Sequence, residues 1–282
     1  MITKICTGNI LMRAISYSGI NKKLKENNSI YVKTDELKYF KERVLPKIKI
    51  PFVLVTGDSD EGTSNYLDIA ENEYLIHWFA QNHEKENKKV TPIPIGFDFG
   101  TLIFKKSNFE DKKNPKEQEK LLKDVLKIKS EKRNMVFSNF QLNITSPRRQ
   151  ALFEKLKDNK SIFWQEKRLP RTECWKLQKK FLFNLSPIGN GIDCHRTWES
   201  TLFDQIPIVE STGTPLDDLH KKFPIVILDS KTEINERNLN LWKEKYEGKF
   251  ASEVKEMLTN KYWVGEIEKK RKTRLPSLKK IH

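Results

Sequence analysis

A chain of 282 residues, 37% hydrophobic and 32% charged, is long enough for one large or two medium domains, and its formal net charge of +15 favours anionic partners. Three cysteines, Cys6, Cys174 and Cys194, are odd in number and form no CxxC pair, which argues against a disulfide scaffold or a structural zinc site. No run reaches the roughly 18 apolar residues of a membrane span, and Lys4, Asn9 and Arg13 interrupt the start as no signal peptide would be, so a soluble cytoplasmic protein is expected.

The first clear strand is Pro51 to Thr56, rich in β-branched residues and ended by the turn chemistry of Gly57-Asp58-Ser59-Asp60. Tyr74 to Asn82 reads as a strand or a short amphipathic helix. Val90 to Gly96 reads as an edge strand, because Pro92 and Pro94 cannot donate to a ladder. Residues 105–133 are rich in Lys and Glu, and Leu121, Leu122, Val125, Leu126 and Ile128 predict an amphipathic helix over 118–129 at a domain boundary. The pattern then restarts with a strand at 134–140. Ser146 and Pro147 form the cap and first turn of a helix over 148–156. A strand at 161–164, a helix at 171–179, a strand at 180–185, a helix at 197–203 and strands at 206–210 and 224–228 follow. This β-α-β-α-β-α-β-β order predicts an α/β fold with a doubly wound parallel sheet. A helix over 236–261 and a frayed basic stretch, Lys269 to Arg274, complete the reading. The expected division is 1–130, 131–262 and a tail at 263–282.

Much of the positive charge is scattered lysine, as in Lys105-Lys106, Lys112-Lys113 and Lys221-Lys222, which solvates helices and loops. A nucleic-acid arm at 269–274 is the non-enzymatic alternative. Aromatic residues are not interleaved with that basic run, however, so no nucleic-acid partner is expected.

The most informative stretch is Ser186 to Ser200, SPIGNGIDCHRTWES, between two apolar strands. In doubly wound sheets ligands sit beyond the carboxyl ends of strands. Gly189 and Gly191 are expected to adopt positive φ and let the backbone approach a ligand. The next helix begins near His195, so its free N–H groups face the loop. Arg196 can fork onto a phosphate, with His195 and Asn190 as further polar contacts. Glu199, one turn later, suits the paired hydroxyls of a ribose. Together these features describe a nucleoside diphosphate site. The plainer reading has Asp193 capping the helix, Glu199 paired with Arg196 and Trp198 in the core.

The segment FLFNLSPIGNGIDCHRTWESTLFDQIPIV resembles the donor-binding segment of exostosin-like glycosyltransferases. MVFSNF followed by Arg148-Arg149, RLPRTECW at 168–175, and PFVLVTGDSD, IHWFAQN and PIPIGFDFG resemble other parts of the compact members, so the likeness covers most of residues 50–230. Such members occur in large DNA viruses of algae and protists, some associated with capsid glycans and xylosyl transfer. The resemblance implies a GT-B fold of two Rossmann-like domains, residues 1–130 binding the acceptor and 131–262 the nucleotide sugar. It implies inverting transfer from a UDP-sugar to a hydroxyl of an oligosaccharide or glycoprotein, with no required cofactor. Ser186, Gly189, Asn190, Gly191, His195 and Arg196 would then line the diphosphate, Glu199 the ribose, and Arg148 or Arg149 the leaving β-phosphate.

An inverting transfer needs one base. Asp58, then Asp60, is favoured at the end of the first strand, with Asp98 and His77 as further candidates. Asp58-Ser59-Asp60 is also a DxD, the divalent-metal signature of the GT-A fold, and makes a metal-dependent transferase the rival reading.

Overall fold

The computed structural model describes residues 10–11, 28–98, 113–142 and 147–272. Cys6, Lys105-Lys106, Lys112, Ser146 and residues 273–282 lie outside them. Two all-parallel sheets make up the frame. In the first, β1 (Ile10–Leu11), β2 (Ser29–Lys33), β3 (Phe52–Gly57), β4 (Leu75–Ala80) and β5 (Val90–Pro92) lie side by side in chain order. In the second, β6 (Arg133–Ser138), β7 (Ile162–Trp164), β8 (Phe181–Leu185), β9 (Ile206–Glu210) and β10 (Val226–Leu228) take the order β10-β9-β8-β6-β7. The α/β class and the parallel pairing are as the sequence predicts. Strand β4 settles the Tyr74–Asn82 ambiguity: all six of its residues are buried between β3 and β5, the continuous apolar signature of an inner parallel strand.

The regular helices are α1 (Pro115–Lys127), α2 (Arg148–Leu156), α3 (Arg171–Gln178), α4 (His195–Leu202), α5 (Pro215–His220), α6 (Glu236–Tyr246), α7 (Ser252–Glu256) and α8 (Asn260–Arg271). Helix α1 starts three residues before the predicted 118, because Asn114 and Glu117 form a reciprocal capping box around Pro115. Three differences from the sequence reading have local causes. Helix α5, capped by Thr214, separates β9 from β10 and is too short to show a period. The expected helix over 236–261 is three helices, broken where Gly248 adopts φ 78° and where the Thr259 hydroxyl caps α8 by accepting from Tyr262 N. Lys269 to Arg271 are not frayed but form the last turn of α8, and Arg271 Nε donates to Asn28 Oδ1 at 2.7 Å.

The first sheet explains how the halves are joined. Its strands follow one another in space, so right-handed crossovers fall on one face. Helical turns between Thr34 and Lys47 and at Ser64–Glu71 cover that face, packing Leu37, Phe40, Val44 and Ile69 on Ile30, Val32, Phe52, Leu54 and Trp78. The other face, with Val53, Val55, Phe79 and Ile93, is covered from the second half: Trp198 of α4, Leu216 and Leu219 of α5, and Trp263 and Ile267 of α8 share one core with it. Residues 263–271 thus belong to this core rather than to a separate tail.

Candidate functional site

The loop after β8 meets the first sheet at the carboxyl ends of its strands. Asn190 Nδ2 donates to Asp60 Oδ2 (3.3 Å) beyond β3, and the Asp193 amide donates to Asn82 Oδ1 (3.0 Å) beyond β4. Beyond β5, the Ile95 amide donates to Asp193 Oδ2 (2.8 Å) and His195 Nδ1 donates to the Gly96 carbonyl (2.7 Å). The carboxyl edges of the two sheets therefore face each other. In the second sheet the chain runs from β6 outward to β7 and then returns to the other side of β6 as β8. The order reverses between β6 and β8, the position where doubly wound sheets bind ligands.

Two guanidinium groups occupy that reversal. Arg149, on the first turn of α2, is buried; its Nε donates to Ile188 O (3.0 Å), and its η nitrogens donate to Gln141 O (3.3 Å), Pro187 O (3.4 Å) and Cys194 Sγ (3.4 Å). It thus fastens the loop from behind. The Arg196 side chain, on α4, has one bond among the described residues, from Nε to Asn139 Oδ1 at 3.0 Å, leaving both η nitrogens without a partner there. Neither guanidinium has a carboxylate within ion-pair distance among the described residues. Burial, above all, pulls the Arg196 pKa down, and repulsion from Arg149 adds to it; a guanidinium stays charged all the same. Glu199 does not pair with Arg196. Its Oε2 accepts from the Trp175 indole at 3.3 Å, and its other oxygen has no protein partner among the described residues. Arg148, next to Arg149, is exposed at the start of α2.

The glycines work differently from the expectation. Neither Gly189 nor Gly191 has positive φ; among the described glycines that backbone occurs at Gly96, Gly213 and Gly248. Close packing against protein groups is what requires them. A Cβ on Gly191 would lie 2.8 Å from Asn82 Nδ2 and 3.0 Å from the Asp60 carbonyl, and one on Gly189 would lie 3.1 Å from Arg149 Nη2. Ser186 is structural as well: it is buried, its hydroxyl 2.9 Å from that of Thr197 and its amide donating to Ile208 O. Asp193 is buried but is not the N-cap, which is Cys194 with no side-chain cap bond. Its carboxylate accepts instead from the Cys194 amide (2.8 Å) and the Trp198 indole (2.9 Å), tying the loop to the core.

The first-half candidates separate clearly. Asp58 is exposed, in a left-handed turn at φ 58°, with its amide donating to Gln81 Oε1. Asp60 is exposed and touches the loop after β8 through Asn190. Asp98 is held by Arg171, whose Nη2 lies 2.9 Å from Asp98 Oδ2. His77 does not open on the crevice: it is buried in β4, bonded to Thr91 Oγ1 at 2.8 Å, and burial, with the Lys270 charge secondary, lowers its pKa to about 4. Among the described residues, no group of three His, Cys, Asp or Glu side chains is placed to hold a metal ion. The nearby thiols stay protonated, since burial raises both, Cys174 to about 11.

Sequence reasoning missed Asn82 and Asn139. Each follows a strand directly or by one residue, at the carboxyl edge, and that position was the available signal. Among the described residues no helix is long and apolar enough to cross a membrane. The chain matches no protein-family model and no curated protein.

Proposed function

We propose that this protein is an inverting glycosyltransferase that moves a sugar, xylose being the leading candidate, from a UDP-sugar to a hydroxyl of a glycan, in a GT-B arrangement. The observation that carries the reading is the Arg149–Arg196 pair at the reversal point between β6 and β8: one cation buried and one half-buried, neither joined to a carboxylate among the described residues, and Arg196 with both η nitrogens unpartnered there. Buried charge without compensation is costly, and a diphosphate supplies two negative groups of suitable geometry for a guanidinium fork. As the sugar leaves, negative charge builds on the β-phosphate, where fixed cations lower the barrier. The Glu199 oxygen without a protein partner, one turn along α4, suits the ribose hydroxyls. The loops of the first sheet, across the facing edges, form the acceptor side.

Thermal-shift titration with UDP, GDP and CMP, each with and without EDTA, tests this. A ligand bound only by the folded form raises stability by RT ln(1 + [L]/Kd), about 2.7 kcal/mol at one hundred times Kd. UDP is expected to raise the melting temperature with EDTA present. No shift with any of the three would sink the reading, and a shift abolished by EDTA would favour the DxD alternative.

A further inference from the structure

The facing carboxyl edges also indicate which group takes the proton. Asp58 makes no hydrogen bond to the loop after β8 among the described residues, Asp60 shares its carboxylate with Asn190, Asp98 is held by Arg171, and His77 is closed off inside the first sheet. His195 differs from all four. It opens α4, immediately before Arg196, and is half-buried. Its Nδ1 lies 2.7 Å from the carbonyl oxygen of Gly96, which belongs to the opposite half of the molecule. A carbonyl only accepts, so Nδ1 carries the hydrogen and the neutral ring holds its lone pair on Nε2. Gly96 sits at φ 72°, a left-handed conformation open to glycine at little cost, in the turn where its carbonyl receives that hydrogen. The Nε2 has no protein partner among the described residues. One carbonyl thus fixes tautomer and ring direction, the task a third group performs for a catalytic imidazole.

We propose that His195 is the general base of the transfer. This rests on the glycosyl-transfer reading above. The acceptor hydroxyl oxygen bonds to the anomeric carbon as the bond from that carbon to the β-phosphate oxygen breaks, and that electron pair leaves with UDP. The hydroxyl proton passes to His195 Nε2, giving an imidazolium whose Nδ1–H still donates to Gly96; the proton then goes to solvent. The base and the diphosphate-binding cation are consecutive residues in the first turn of α4. Asn190 and Asp60, bonded to each other, join the two loops.

His195→Asn isolates the role, since an asparagine amide can keep the bond to the Gly96 carbonyl but offers no Nε2. UDP release from UDP-xylose, UDP-glucose and UDP-N-acetylglucosamine is measured with a mixed methyl-glycoside acceptor pool, and UDP affinity by calorimetry. The expected result is a loss of at least about 100-fold in the fastest release rate with UDP affinity unchanged within about threefold. In His195→Gly, free imidazole should restore activity at least about tenfold, which a purely structural role would not allow. A His195→Asn variant that keeps its rate, or that loses UDP binding in parallel, overturns the assignment while the functional reading stands. A parent protein that neither binds UDP nor releases it from any of the three donors overturns the functional reading, and this assignment falls with it.

Discussion

Arg149 and Arg196 carry the same group into different environments, and they should fail differently. Arg149 satisfies carbonyls of Gln141, Pro187 and Ile188 from a buried position. Arg149→Met would leave those acceptors without a donor, each at about 1–3 kcal/mol. The expected outcome is a stability loss above about 2 kcal/mol in urea unfolding. The Arg196 side chain bonds only to Asn139 among the described residues, so Arg196→Ala should leave the urea midpoint nearly unchanged. It should nevertheless weaken UDP binding by about tenfold or more, as expected for one charged hydrogen-bonding group; calorimetry reads this directly. Arg196 stood out in the sequence because Arg, His and Glu at that spacing have few structural uses between two strands, whereas Arg149 entered, together with Arg148, only through the family resemblance. Their division of labour was not legible there, since it depends on Asn139, Gln141 and Trp175, which approach from other strands and helices.

At the scale of elements, the loop after β8 was recognised for its glycines, but the reason for them lay elsewhere. Nothing near Gly191 in the chain shows that Asn82 and the Asp60 backbone press against it from the other half. Gly191→Ala should therefore cost about 1–3 kcal/mol of overpacking, because Asn82 is pinned by its bonds to Ser59 and Asp193 and the Asp60 carbonyl is main chain. Gly189→Ala meets the end of an arginine side chain at 3.1 Å and should cost less; urea midpoints of the two variants settle the order. Strands and long helices were readable from local pattern. The short α5 and the breaks after α6 and α7 were not, because six or fewer residues carry too little periodicity.

The whole molecule carries an acid-sensitive element in its first half. His77 and His83 are buried, and burial holds both near a pKa of about 4, against 6.5 for a free imidazole. The unfolded chain therefore takes up protons first as pH falls. The contribution of these two histidines should be level above about pH 6.5 and decline progressively to about pH 4, with protonation of the folded form ending the loss. Melting temperature measured across that range checks the window, and His83→Gln should flatten part of the slope. Ile267→Ala, in the core shared by the halves, should cost about 2–5 kcal/mol. The sharing itself was invisible in the sequence, because residues 53 and 267 meet only once both sheets exist.

That common core has a mechanical consequence. Sugar transferases built as separable lobes can close on their substrates about a flexible joint. Here Trp198, Leu216 and Trp263 are wedged against Val53 and Val55, and sliding the lobes apart would strip apolar surface from both. Such sliding is therefore disfavoured, and on the proposed reading UDP would bind without a large change of shape. Small-angle scattering should give the same radius of gyration with and without saturating UDP, and a measurable contraction on binding would mean that the weld yields.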